Sequence, residues 1–158
     1  RAVVIQTYGG NIYDIERLKL ICDKNNITLI EDVAPCITAN VNNQLIGTFG
    51  DFGIWSFDSM KIISAVDGGA VYCKDINASK FIETYTRLGS NAFSAYSQKN
   101  KSNWWEIYYD TYGTRSTPNN LNMSILINQI DRIPEFNSKL KEIYNYYFYN
   151  YVLKEGSI

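Results

Sequence analysis

The sequence predicts an α/β fold on a mostly parallel sheet, and three observations carry that prediction. A β-branched run, Ala2 to Gln6, is followed by apolar residues at helical spacing and then by a second apolar run, Thr28 to Ile30. A strand, helix, strand crossover of that length joins parallel strands. Glu31-Asp32 closes the second run, and Gly47, Gly50 and Gly53 punctuate the approach to a third.

Taken in order, the first strand closes on Tyr8-Gly9-Gly10, and Ile12, Ile15, Leu18, Ile21 and Cys22 then recur on a helical period that Asn25-Asn26 ends. Asn40 to Asn43 predicts a turn and Gln44 to Ile46 a small ribbon. Ile54-Trp55-Ser56-Phe57 reads as the third main strand, and Ala70 to Cys73, after Asp67-Gly68-Gly69, as the fourth. Ile76 to Leu88 predicts a helix with Phe81, Ile82, Tyr85 and Leu88 on one face. Gly89 to Asn119 has little periodicity and reads as a loop or lid carrying Trp104-Trp105. Asn120 to Ile133 predicts a helix with Leu121, Ile125, Asn128 and Gln129 near one face. Pro134 suits the first turn of a last helix running through Leu153. Tyr144, Tyr146, Tyr147, Tyr149 and Tyr151 go nearly all round that helix, which predicts burial against another domain or subunit.

Composition narrows the function classes. The 158 residues are 46% hydrophobic and 20% charged, with 15 basic and 16 acidic side chains well mixed, so no electrostatic footprint for nucleic acid or anionic lipid is present. No apolar run approaches the roughly 20 residues that a membrane span needs. Cys22, Cys36 and Cys73 are widely separated, which argues against a disulfide framework or a zinc site and for a reducing compartment, the cytoplasm. Histidine is absent, which removes Ser-His-Asp hydrolysis and histidine metal catalysis. Acid and base chemistry then falls to Lys, Asp, Glu, Tyr or a cofactor. The chain opens at Arg1 on a strand without lead-in, the mark of a piece of a longer protein.

Three residues stand out. Asp32 follows an apolar parallel strand, where open α/β sheets bind ligands; its competing reading is a cap for the next turn. Ser56 and Lys61 lie five residues apart across a strand end and turn, so hydroxyl and ammonium can face one small anion, such as a phosphate, from two sides. A desolvated lysine loses its proton more readily, as attack on an aldehyde requires. A loop lysine is otherwise most often a solvated charge. The glycines at 47, 50, 53, 68 and 69 argue for backbone held close to something.

Five blocks in matching order carry a resemblance: Tyr8-Gly9, Ile30-Glu31-Asp32-Val33-Ala34, Gly47-Thr48-Phe49-Gly50-Asp51, Ser56-Phe57 with Lys61, and Asp67-Gly68-Gly69-Ala70-Val71. Together they resemble the DegT/DnrJ/EryC1/StrS sugar aminotransferases, pyridoxal-phosphate enzymes of the aspartate-aminotransferase fold. Weaker similarity runs through Leu121-Asn122 and Gln129 to Tyr144. The resemblance implies a three-layer sandwich with a mostly parallel sheet, followed by C-terminal helices. Residues 1–119 would belong to the cofactor-binding large domain, with the loop or lid from about 89, and 120–158 would lead toward a small domain outside the chain.

By the same resemblance Lys61 would bind pyridoxal 5'-phosphate covalently and act as catalytic base, Asp32 would pair with the pyridine nitrogen and Ser56 would bind the phosphate. The implied reaction passes an amino group from an amino acid, glutamate, to a nucleotide-linked keto-sugar, in a cytoplasmic homodimer, with no metal, nucleic acid or membrane involved. Lysine at 61 points away from the sugar dehydratases of the family, which carry histidine there. Pro35 stands where many relatives carry a glutamine that contacts the cofactor ring oxygen, and Ile62 where Asn often follows the lysine. A phosphate-contacting Asn from the partner subunit aligns near Thr117 or Asn119. Cys36 beside the pocket reads as packing. The alternative is a non-catalytic remnant or scaffold of the same fold, lacking the parts that relatives carry on either side.

Overall fold

A computed structural model describes residues 1–90, 109 and 111–152. Four strands, β1 (Ala2–Gln6), β2 (Thr28–Asp32), β5 (Phe52–Ser56) and β6 (Gly69–Cys73), form one sheet in the order β1-β2-β5-β6. β1, β2 and β5 are parallel and β6 runs antiparallel to β5. Between them β3 (Asn40–Val41) and β4 (Gln44–Leu45) make a two-residue hairpin. Its turn residues Asn42 and Asn43 sit at φ 49° and 65°, the left-handed pair that such turns require. This is the α/β architecture, a mostly parallel sheet followed by helices, that the sequence predicts.

Helix α1 (Ile15–Lys24) starts later than its apolar period, because Asp14 takes the N-cap and accepts from the Arg17 N–H at 3.1 Å. Ile12 is thereby left outside. Glu16 in the first turn and Lys24 in the last complement the helix dipole, and Asn26 at φ 52° turns the chain back. Ile15 and Cys22 point from α1 into a core with Leu29, Val33 and Ile46, onto which Val3, Ile5 and Trp55 pack. In-register pairing puts Val4, Ile54 and Val71 on the opposite sheet face, where they are 64%, 40% and 52% exposed.

A second core joins the segment after β5 to the C-terminal helices. Ile63, Ala65 and Leu126 are buried together, with Phe57, Met123 and Phe136 against them. Leu126 lies on α3 (Asn120–Ile130), capped by Asn119, whose side-chain oxygen accepts from the Asn122 N–H at 2.8 Å. Helix α4 (Ile133–Tyr147) has Pro134 in its first turn and passes into a π-helical turn at Phe148–Val152. The last helix is therefore not regular throughout the predicted span, and Leu153 lies outside the described residues. Its five tyrosines are exposed in this chain.

One further expectation changes: the helix predicted to run from Ile76 to Leu88 ends at Thr86. Helix α2 (Ile76–Thr86) packs on β6, but Phe81 and Tyr85 are exposed and no residue of α2 is buried. Leu88 lies past its end at φ 64°. Periodicity marks an apolar face without saying what covers it. Of the loop or lid segment, residues 91–108 and 110, with Trp104-Trp105, lie outside the described residues. The stretch 112–116 runs beside the end of α2, where Thr114 N–H donates to the Tyr85 carbonyl at 2.8 Å and Ser116 N–H to Thr86 at 2.9 Å.

Candidate active site

Parallel pairing aligns the strand ends. Gln6 pairs with Asp32 and Asp32 with Ile54, so Gln6, Asp32 and, two residues further along β5, Ser56 share one sheet face, opposite the Leu29 and Trp55 core. All three lie at the carboxyl ends of parallel strands, where a sheet of this class offers its binding crevice.

Asp32 is half-buried and engaged on both oxygens. Oδ1 accepts from the Ala34 N–H at 3.1 Å, so the cap reading describes one oxygen. Oδ2 accepts from the Gln6 side-chain amide at 2.9 Å. Each carboxylate oxygen has a second lone pair, so Asp32 keeps acceptor capacity for a ligand.

Ser56 and Lys61 line one cavity of about 240 Å³ with Ala34, Pro35, Met60 and Ile62. The Ser56 hydroxyl accepts from the Asp58 N–H at 3.3 Å, which leaves its O–H to donate. Asp58 shapes the turn, its carboxylate accepting from Met60 N–H at 3.0 Å and its carbonyl from Lys61 N–H at 3.0 Å. Lys61 is half-buried between exposed Met60 and Ile62, and its ammonium pairs with no carboxylate among the described residues. Asp32 does not line this cavity; its neighbour Ala34 does.

Two supports hold the lysine loop. Phe57 bonds across the loop neck, its N–H donating to Gly68 at 2.9 Å and its carbonyl accepting from Ala65 at 2.8 Å. From α3, Gln129 accepts from the Ser64 N–H and donates to the Ser64 carbonyl. Gln129 was legible only as a residue near one helix face, and Gln6 only as the end of a strand. The parallel register, which places the end of β1 beside the end of β2, is the signal that could have found Gln6.

Gly47, Gly50, Gly53 and Gly69 hold backbone close to a partner, as the sequence argues, and the partner is the chain itself. Glu31 is 1% exposed, and its carboxylate accepts from Gly47 N–H at 2.8 Å and Gly50 N–H at 2.5 Å. A Cβ on Gly53 would lie 1.8 Å from the Gly47 carbonyl oxygen, and Gly47 itself sits at φ 97°. Gly47, Gly50 and Gly53 thus bring backbone against backbone and against Glu31, away from the cavity. Gly69 likewise faces the Trp55 carbonyl, 2.7 Å from where its Cβ would be.

Thr117 and Asn119 lie at a second cavity, of about 400 Å³, with Asp67, Gly68, Arg115 and Asn122. The Asn119 side-chain oxygen caps α3, so the aligned position there has a local structural duty. All three cysteines are free, Cys22 buried and Cys36 and Cys73 half-buried. Among the described residues no group of three His, Cys, Asp or Glu is placed to hold a metal ion, and no helix is long and apolar enough to cross a membrane.

The donor set suits a phosphorylated, aldehyde-bearing ring with a basic nitrogen: a carboxylate, a hydroxyl free to donate, and an amine beside that hydroxyl. Comparison with known proteins gives the lineage. The chain is 31% identical over 148 residues to dTDP-4-dehydro-2,3,6-trideoxy-D-glucose 4-aminotransferase of Saccharopolyspora spinosa, matching 93% of this chain and 38% of that protein. It is 31% identical over 147 residues to GDP-perosamine synthase of Vibrio cholerae, matching 93% of this chain and 37% of that protein. The aminotransferase TlmJ from Streptoalloteichus hindustanus superposes with a TM-score of 0.86 at 32% identity, over 96% of this chain and 39% of that one. The chain therefore spans under two-fifths of the length of these curated relatives. Its residues 1–155 match one family along nearly their whole length, and the chain belongs to the DegT/DnrJ/EryC1/StrS aminotransferase family.

Proposed function

We propose that this chain forms part of a pyridoxal-phosphate-dependent aminotransferase that moves an amino group from an amino acid, glutamate, to a nucleotide-linked keto-sugar. The observation that carries the reading is the arrangement of Asp32 and Ser56 on one face at neighbouring strand ends, with Lys61 lining the cavity that Ser56 lines. Membership of the family and the names of the relatives support the sugar-nucleotide class.

When bound, pyridoxal phosphate supplies a carbon that receives the amino group and a ring that draws off electrons. Ser56 O–H would donate to its phosphate. The Asp32 carboxylate would hold a proton on the ring nitrogen through a charge-assisted hydrogen bond. Lys61 Nζ would be the covalent tether and, as a free amine, would be the base that moves a proton between the carbon that loses the amino group and the carbon that gains it. One amine serves both transfers, so a chain without histidine can perform them.

Residues 1–119 belong, in this reading, to the large domain, and 120–158 lead toward a small domain. The working form is a cytoplasmic homodimer. Pro35 offers no side-chain donor, so ring contacts on that side fall to other groups.

The test is to mix the purified chain with pyridoxal phosphate, reduce with borohydride and find the added mass by peptide mass spectrometry. Modification concentrated on Lys61 is the expected result. Scattered labelling, or none, in a folded sample would overturn the assignment and favour a non-catalytic scaffold.

A further inference from the structure

We infer that Gln6 is a positioning residue for Asp32: a neutral donor that fixes the carboxylate's rotamer without competing for its charge. The inference rests on the reading above, in which Asp32 meets the ring nitrogen of the cofactor.

Asp32 ends its strand and is half-buried, so its carboxylate would be free to rotate unless neighbours select an orientation. Two donors do so, one on each oxygen. Oδ1 is held at 3.1 Å by the Ala34 N–H of its own chain end, and Oδ2 at 2.9 Å by Gln6 Nε2 of the adjacent strand. Gln6 is itself anchored. It pairs in register with Asp32, the next residue's N–H donates to the Asp32 carbonyl at 3.1 Å, and its own carbonyl accepts from the Tyr13 hydroxyl. The donor therefore comes from a rigid ladder, not from a loop.

The side-chain type matters as much as its place. A lysine or arginine at position 6 would set a permanent counter-ion against Asp32 and weaken its attraction for a protonated ring. An alkyl side chain would leave the carboxylate to rotate and to take water. An amide orients the group and leaves its full charge to the ligand. The Gln6 side chain bonds to no titratable group but Asp32 among the hydrogen bonds of the described residues, and Gln6 is not among the residues that line the cavity, which directs its effect to Asp32.

The experiment measures dissociation constants of the 158-residue chain for pyridoxal phosphate and for its 1-deaza analogue, whose ring lacks the basic nitrogen. Wild type, Gln6→Met, Gln6→Leu and Asp32→Asn are compared by fluorescence titration, with circular dichroism as a folding control. Wild type should prefer pyridoxal phosphate, and Gln6→Met and Gln6→Leu should lose about tenfold of that preference while binding the analogue as wild type does. A purely structural role for Gln6 would weaken both ligands alike, and preference unchanged in folded Gln6 variants would overturn the inference alone. If wild type shows no preference, or Asp32→Asn keeps it, the Asp32 assignment itself fails and the inference falls with it. Should Gln6→Leu fold poorly, Gln6→Met carries the test, since position 6 is exposed on an edge strand.

Discussion

Gln129 satisfies both backbone groups of Ser64 at once, accepting from its N–H at 3.0 Å and donating to its carbonyl at 2.7 Å across 65 residues of sequence. Its amide also reaches the Ile125 carbonyl at 3.1 Å, so the side chain is fixed against its own helix before it meets the loop. Gln129→Met keeps the volume and removes both bonds. Urea unfolding should show a loss of about 1–3 kcal/mol, the range for two part-buried hydrogen bonds that leave the Ser64 N–H and carbonyl without their partner. Labelling of Lys61 by pyridoxal phosphate should slow in the same variant, because the loop that carries it loses its tie to α3.

The buried Glu31 carboxylate is an acceptor for two N–H groups, and only an acceptor on both oxygens can serve them. Glu31→Gln turns an N–H₂ toward one of these donors. We expect about 2–3 kcal/mol of destabilisation in urea titrations, since the lost bond is charge-assisted and the replacement is repulsive. Wild-type stability in this variant would show that the 47–50 loop is held by something else.

Gly53→Ala places a methyl carbon 1.8 Å from the Gly47 carbonyl oxygen, a backbone atom with no rotamer to escape into. Either β5 or the 47–50 loop must move. The variant should lack cooperative thermal unfolding when followed by circular dichroism, whereas Gly10→Ala, where nothing lies within 4 Å of the added carbon, should keep it at the modest cost of a φ of 77°.

Lys19 and Asp51 couple stability to pH. Burial pushes the Asp51 carboxyl up, but the Leu29 N–H and the Lys19 ammonium outweigh it and hold it below its ordinary value. The Asp23 hydrogen bond, and after burial's opposing effect that of Asp51, raises Lys19. A lowered carboxyl contributes stability that is present above the unfolded value of about 3.9 and lost as pH falls through the folded one. A raised ammonium contributes stability present below about 10.4 and lost as pH rises beyond. The pair should therefore act at full strength between about pH 4 and 10. Asp51→Asn should be less stable than wild type in that window, the gap closing at acid pH, as urea midpoints measured across the range will show.

The strands were legible because their apolar, β-branched runs end in polar residues, and four of them stand within two residues of where the sequence put them. Asp32, Ser56 and Lys61 were legible as positions at strand ends and on a loop, since strand ends announce themselves locally. Gln6 and Gln129 were not, because each is defined by a partner 26 or 65 residues away. The glycines were visible, yet what they approach was not: a missing side chain tells of crowding without naming the neighbour. The apolar stripe of α2 was visible in the same way without what covers it, since a stripe records amphipathicity and not its cover.

The reversal of β6 against β5 sets an order of assembly for the lysine loop. Its neck closes between Ser56 and Gly69, a contact roughly fivefold shorter in sequence than the Gln129 tie to Ser64. Closing the longer span costs about 1.4 kcal/mol more in chain entropy, so the neck forms early and the tie late. During refolding the lysine is therefore looped out before it is locked, and a nascent chain released before residue 129 would carry its lysine on a hairpin that lacks its brace.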